Sequence, residues 1–195
     1  MKRIPWILVA AWVAGCGGDA PPKSREEEAA FEIYRSDCAA ARLACERAAD
    51  SAGMEKGTRG LGAFLEQWAA NPKLKPPADA AERGAALSER FAELDATLRS
   101  VRAIADGSGE DENTLQAIDH TQKAVKNMAA LVRDLASGAE KDIVEFATRD
   151  RQNELAQRLL ASAQDVRETT IPTCENAARA LVSARESLKR ARATK

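Results

Sequence analysis

The chain has 195 residues, with 29 Lys and Arg against 30 Asp and Glu and a net charge of −1. So balanced a surface lacks the clustered positive charge that nucleic acid demands, which excludes nucleic acid as a partner. Alanine, glutamate, arginine and leucine dominate and aromatic residues make up 4%, a composition that favours helices and argues against a sheet.

The first sixteen residues read MKRIPWILVAAWVAGC. Lys2 and Arg3 form a positive start, Ile4 to Val13 an apolar run, and Ala14 and Gly15 a small-residue end. This is the layout of a secretory signal, and the apolar run falls short of the roughly 20 residues that span a bilayer as a helix. The run Val13-Ala14-Gly15-Cys16 resembles the lipobox of bacterial lipoproteins. That resemblance implies a diacylglyceryl group on the Cys16 thiol, cleavage before Cys16 and acylation of the new amine. Residues 1–15 are then a signal peptide, 16–23 a lipidated tether and 24–195 the helical body. Two or three acyl chains, each buried methylene contributing about 0.8 kcal/mol, hold such a protein on a membrane. Gly17 stands where aspartate marks inner-membrane retention in related lipoproteins. The outer membrane is therefore the expected address, with the body in the periplasm or on the cell surface. The tether Gly17 to Lys23 reaches at most about 25 Å. Loss of the signal removes two positive charges and no acid from a net of −1, leaving −3.

The body reads as all-α, an antiparallel bundle of four to five long helices with a short lid-like helix near 60–71. Ser24 and Glu27 have capping-box spacing and open a first helix over about 25–52. Its inward stripe is Phe31, Tyr34, Cys38, Ala41, Cys45, Ala48 and Ala52, a 3-4 repeat shrinking from aromatic to alanine; Gly53 and Gly57 close it. In the next segment Leu61, Phe64, Leu65 and Trp68 share one face, and Pro72, Pro76 and Pro77 end the helix. This face is either a lid packed over the bundle end or an exposed partner-binding or membrane-dipping face. A second long helix begins at Asp79 and runs to about 105, with Leu87, Phe91, Leu94, Leu98, Val101 and Ala105 inward. The run Asp106 to Asp111 is a turn.

A third long helix is predicted over 112–136 with Leu115, Ile118, Val125, Ala129, Val132 and Ala136 inward. Gln122 falls on that stripe and must find a partner or sit at its edge. Ser137 and Glu140 repeat the capping spacing and predict a fourth helix carrying Ile143, Val144, Phe146 and Ala147. The polar run 148–154 reads as continuous helix whose apolar stripe is interrupted, resuming at Leu155, Leu159, Ala163 and Val166. Pro172 either kinks this helix or starts another. Cys174, Ala178, Leu181, Val182 and Leu188 continue an apolar face to the end.

Three cysteines remain beside Cys16. Cys38 and Cys45 lie seven apart on one helix, about 10 Å along its axis, beyond the reach of a disulfide. An intramolecular bridge must therefore join Cys174 to Cys38 or Cys45, and the oxidising environment of an exported protein permits one.

Catalytic and cofactor patterns are missing. His120 is the sole histidine and lies roughly 200° around the helix from the inward positions, so it is read as solvated. Ala117 three residues before it denies the Glu-x-x-His pair of di-iron bundles, and no Cys-x-x-Cys-His run offers a haem attachment. Cys38 and Cys45 occupy an apolar stripe rather than a polar, activated setting. The run 148–154 is the best polar candidate on an otherwise apolar face. No catalytic residue, metal or cofactor is assigned. The expected function is a non-catalytic interaction or structural module of the cell envelope, anchored through Cys16, with an envelope protein as partner. Two alternatives are a small-molecule-binding periplasmic bundle and a cell-wall-linked spacer. For the spacer, the long heptad helices and terminal Lys195 look like the murein lipoprotein, whose C-terminal lysine is joined to peptidoglycan.

Overall fold

The computed structural model describes residues 24–53, 60–107 and 111–193. The lipobox with Cys16, and the positions Gly57 and Lys195, lie outside these. Helix α1 spans Arg25–Ser51. Ser24 Oγ accepts a hydrogen bond from the Glu27 amide at 3.1 Å, and Glu26, Glu27 and Glu28 place acid at the positive helix end. Gly53, in the left-handed region at φ 74°, stops the helix. All seven residues of the expected stripe are buried, down to zero exposure at Ala41, Cys45 and Ala48. Tyr34 among them donates its hydroxyl to the Ile104 carbonyl at 3.4 Å.

Helix α2 covers Leu61–Ala69, followed by a 3₁₀ turn at Pro72–Leu74 that Asn71 caps through the Lys73 amide at 3.2 Å. Helix α3 spans Ala80–Asp106 and buries Leu87, Phe91, Leu94, Leu98 and Val101 as predicted, with Ala105 half-buried.

Helix α4 runs unbroken over Thr114–Arg149, which corrects the expected stop at 136 and restart at 137. Ser137 and Glu140 carry a start signal, but Ala136, Ala139, Ile143 and Phe146 keep the buried stripe in phase across it. Burial against the neighbouring helices outweighs the local cap preference. Gln122 sits at the stripe's edge, where Thr121 takes the buried place. Val144 and Val182, expected inside, are 45% and 46% exposed; each falls one position off the buried set, next to Ile143 and Leu181.

The polar run also departs from expectation, because the helix breaks there. Asp150 leaves helical geometry at φ −125°, ψ 69°, and Asn153 starts α5, Glu154–Asp165. The Asn153 Oδ1 accepts from the Leu155 and Ala156 amides at 3.1 and 3.2 Å. With no apolar residue between Thr148 and Glu154 to hold an inward stripe, side-chain capping wins over helix continuation. After α5 the backbone widens into a π turn, Val166–Thr170, and passes directly into α6, Ile171–Ala193. Pro172 therefore neither stops the chain nor bends it into a loop. The widened turn absorbs the lost amide, and Thr173 Oγ1 donates to the Thr169 and Thr170 carbonyls at 2.7 and 3.0 Å.

The described residues form an all-α bundle. Helix α1 packs on α6 and α3, α4 on α6 and α3, and α2 on α3 and α5. Antiparallel register of α1 and α6 is fixed by two side-chain bonds, Ser51 Oγ with Thr170 Oγ1 at 2.7 Å and Ser183 Oγ to Asp37 Oδ2 at 2.6 Å. Helix α1 is shorter than α4, 27 residues against 36, so it leaves part of the bundle's length uncovered. Helix α2 takes over that place. Gly60 abuts the end of α1, where a Cβ would lie 2.4 Å from the Ala52 carbonyl oxygen. One corner of the bundle is thus made of two helices end to end.

Helix α2 reaches α3 by backbone contact. A Cβ on Gly62 would meet the Gly84 oxygen at 2.8 Å, and one on Gly84 would meet the Gly62 oxygen at 2.9 Å. Only two glycines facing each other permit this approach. Trp68 stacks on Phe146 of α4 with ring centroids 4.6 Å apart and planes 11° apart. Its indole N–H donates to the Leu74 carbonyl at 3.3 Å, which ties the 3₁₀ turn over the ring pair.

Candidate functional site

Leu61, Phe64, Leu65 and Trp68 are 0%, 7%, 1% and 2% exposed. The sequence left these residues as either a packed lid or an exposed partner face; the fold buries them, because the short α2 has no other apolar side with which to hold α3, α4 and α5. They present no exposed patch. The large exposed apolar side chains, Ile33, Leu43, Leu131, Val144 and Val182, are scattered over three helices, as single surface apolar residues are in most proteins.

The surface is shaped instead by the seam where α1 ends and α2 begins. A groove of about 730 Å³ lies on its α3 side. Ala49, Ala52, Phe91, Ala92 and Leu98 supply apolar lining, and Glu46, Asp50, Asp95 and Arg102 supply charge. On the opposite side a second groove, of about 840 Å³, runs from Ser51 and Phe64 to the π turn, with Arg158, Asp165 and Glu168 around it. Both are open to solvent. Between them the core is closed, with Leu61, Cys45, Ala48, Leu94 and Leu159 at zero exposure.

The charges of the first groove are organised. Glu46 accepts from Arg42 Nε and Arg102 Nε, each at 3.1 Å, and bridges α1 to α3. The hydrogen bond from Arg42 outweighs the opposing effect of burial and, with a smaller contribution from Arg102, holds its carboxyl below the ordinary carboxylate range. Arg42 also pairs with Asp106 at 3.1 Å, and Asp95 pairs with Arg99 on its own helix. Asp50 stands exposed at the mouth. Of the three carboxylates among the described lining residues, Glu46 and Asp95 are matched by arginines, and Asp50 is the one that faces the opening. Ser88, also in the lining, donates its hydroxyl to Glu66 Oε1 at 3.1 Å. The arrangement suits an apolar segment carrying a basic side chain.

His120 is exposed on α4, as expected, at the rim of a shallow depression with Ile104, Ala117 and Thr121. Among the described residues no group of three His, Cys, Asp or Glu side chains could hold a metal ion. The polar run 148–154 forms the junction between α4 and α5. Its Arg149 lies over the Phe146 ring, 5.7 Å from the centroid, and donates to the Leu74 carbonyl at 3.3 Å.

Cys38, Cys45 and Cys174 are all buried thiols. Burial pushes Cys38 up to about 11, and Cys45 and Cys174 up to about 12. They are poor nucleophiles in the folded chain.

Sequence reasoning missed the seam groove. Its charged residues sit on the outer flanks of two helices, and only the relative end positions of α1 and α2 bring them around one opening. Among the described residues no helix is long and apolar enough to cross a membrane. Comparison with known proteins found no matching family model, no matching characterised protein and no matching solved structure.

Proposed function

We propose that the chain is a lipid-anchored protein of the bacterial cell envelope whose helical body is a non-catalytic interaction module, docking a partner protein at the seam between α1 and α2. The observation that carries this reading is the split bundle corner, which opens an apolar-lined groove of about 730 Å³, with Asp50 at its mouth, over a closed core. A closed core favours surface recognition over enclosure of a small molecule. The partner segment that suits the groove presents small apolar side chains to Phe91 and Leu98 and a Lys or Arg to Asp50 and Asp95.

The anchor fits this arrangement. Cys16 bears the lipid, and α1 begins directly after the tether, with Ser24 as its cap. A helix of 27 residues is about 40 Å long. The anchored end therefore lies near Ser24 and the seam projects about one helix length from it. The outer membrane is the favoured location.

A photoreactive residue at Ala92, inside the groove, tests the docking surface in intact envelopes. We expect a discrete crosslinked adduct that is lost when Asp50→Lys and Asp95→Lys are combined, and no adduct from the same probe at Asn127 on α4. Equal labelling at both positions, or an adduct insensitive to charge reversal, would overturn the docking surface. The anchor is tested separately: Cys16→Ser should abolish labelling by palmitate analogues, and persistent labelling would remove it.

A further inference from the structure

We infer that Cys45 and Cys174 form a disulfide pair that locks α1 to α6, with Cys38 left as a thiol. The register of the two helices selects this pair. From the Ser51–Thr170 contact, Cys45 lies six residues back along α1 and Cys174 four residues on along α6, about 9 and 6 Å at 1.5 Å per residue. From the Asp37–Ser183 contact, the same residues lie eight and nine positions away, about 12 and 13.5 Å. Both anchors place Cys174 about 1.5 to 3 Å nearer the Ser51 end than Cys45. Cys38, one residue from Asp37, is offset from Cys174 by about 12 Å, beyond the roughly 7 Å Cα separation a disulfide can bridge.

Lateral spacing agrees with this choice. Helices α1 and α6 pack on each other, and both bury alanines, Ala41 and Ala48 on α1 and Ala177, Ala178 and Ala184 on α6. Small side chains set helix axes at the short end of the usual range of about 8–10 Å, and subtracting two Cα radii of about 2.3 Å leaves facing Cα atoms within disulfide reach. Cys45 and Cys174 are 0% and 2% exposed, and the two thiols are close enough that Cys174 opposes ionisation of Cys45.

Closing the bond removes two protons and two electrons from the pair. A small disulfide oxidant such as oxidised glutathione accepts them. One cysteine thiolate attacks the oxidant's disulfide, releasing one thiol and leaving a mixed disulfide. The second cysteine then displaces the other oxidant thiol and closes the Cys45–Cys174 bond. Burial keeps the oxidant out of the folded chain, so the bond forms while the helices are still assembling.

The test refolds the reduced full chain from denaturant in a mixture of reduced and oxidised glutathione, quenches with an alkylating reagent and digests with trypsin without reduction. Arg35, Arg42, Arg47, Arg167 and Arg179 place the three cysteines in three separate peptides. The expected product joins Leu43–Arg47 to Glu168–Arg179, with Ser36–Arg42 alkylated, in most of the refolded chains. A loop of roughly 130 residues closes far less readily in an unfolded chain than the short Cys38–Cys45 loop, so this linkage reports the native register. Cys45 and Cys174 both alkylated after refolding would overturn the inference, as would Cys38 joined to either. The pairing should survive in Cys38→Ser, and its loss there would equally overturn it.

Discussion

Gly84 and Gly138 both lie inside long helices, α3 and α4, and helix propensity favours alanine over glycine at each by about 1 kcal/mol. The surroundings differ. A Cβ on Gly84 would meet the Gly62 oxygen at 2.9 Å and the Glu66 amide nitrogen at 3.0 Å, both backbone atoms of α2. Relief requires moving the whole of α2, which would loosen Leu61, Phe64, Leu65 and Trp68. Such overpacking costs about 1–3 kcal/mol, and with rigid backbone on the far side the upper half of that range applies. We expect Gly84→Ala to lose about 1–2 kcal/mol net, a fall in Tm of about 2–8 °C for a domain of this size. At Gly138 the nearest atom is Arg83 Nη1 at 2.8 Å, the end of a flexible side chain that can swing aside. There propensity wins, and Gly138→Ala should gain up to about 1 kcal/mol. Urea titration followed by circular dichroism measures both shifts. If Gly84→Ala raises the urea midpoint, or the two variants move it in the same direction, the backbone contact between α2 and α3 does not constrain the fold as argued.

Three further outcomes follow from the packing. Truncating Trp68, stacked on Phe146 and 2% exposed, should cost about 3–5 kcal/mol in Trp68→Ala, read from the urea midpoint; a loss below 1 kcal/mol would mean that α2 is peripheral to stability. Removing the α5 cap in Asn153→Ala should cost about 1 kcal/mol, with faster amide exchange at Leu155 and Ala156, the two amides it caps. For the reduced protein, burial raises the Cys45 and Cys174 thiols from 9.0 to about 12. Above pH 9 the unfolded chain loses these protons while the folded chain keeps them. Stability is thus fully present below about pH 9 and falls toward pH 12, by up to about 1.4 kcal/mol per thiol per pH unit. A urea midpoint that stays flat between pH 8.5 and about 10.5 would contradict the burial of these groups.

Much of this architecture was legible in the chain, for a physical reason. The stripe from Phe31 to Ala52 keeps heptad spacing without interruption, and every member is buried; one continuous interface needs one period. The ends of α1 were legible because Ser24 and Gly53 act within a few residues of themselves. The errors occur where a local signal and a distant contact disagree. At Ser137 a start signal lost to a buried stripe that continued through it. At Asp150 to Asn153 a polar run with no breaker gave way, because nothing apolar held it inward. The face of Leu61, Phe64, Leu65 and Trp68 was read correctly as a face, but its burial depends on α4 and α5, more than 70 residues away in the case of Phe146.

The groove could not be read from any one helix, since it exists only because α1 is too short to fill its corner. That shortness gathers the irregular features at one level of the bundle. Gly53 ends α1, Gly60 abuts that end, and the π turn lies beside it through the Ser51–Thr170 bond. Away from that level α1 and α6 are regular helix with buried alanines along them. Small residues let α1 and α6 approach closely, and close approach is also what brings Cys45 within reach of Cys174. A covalent link between α1 and α6 near that level would hold the floor of the seam fixed. Oxidised and reduced protein should then differ little in Ala92 crosslinking at low urea but diverge as urea approaches the reduced midpoint, where only the linked seam keeps its shape.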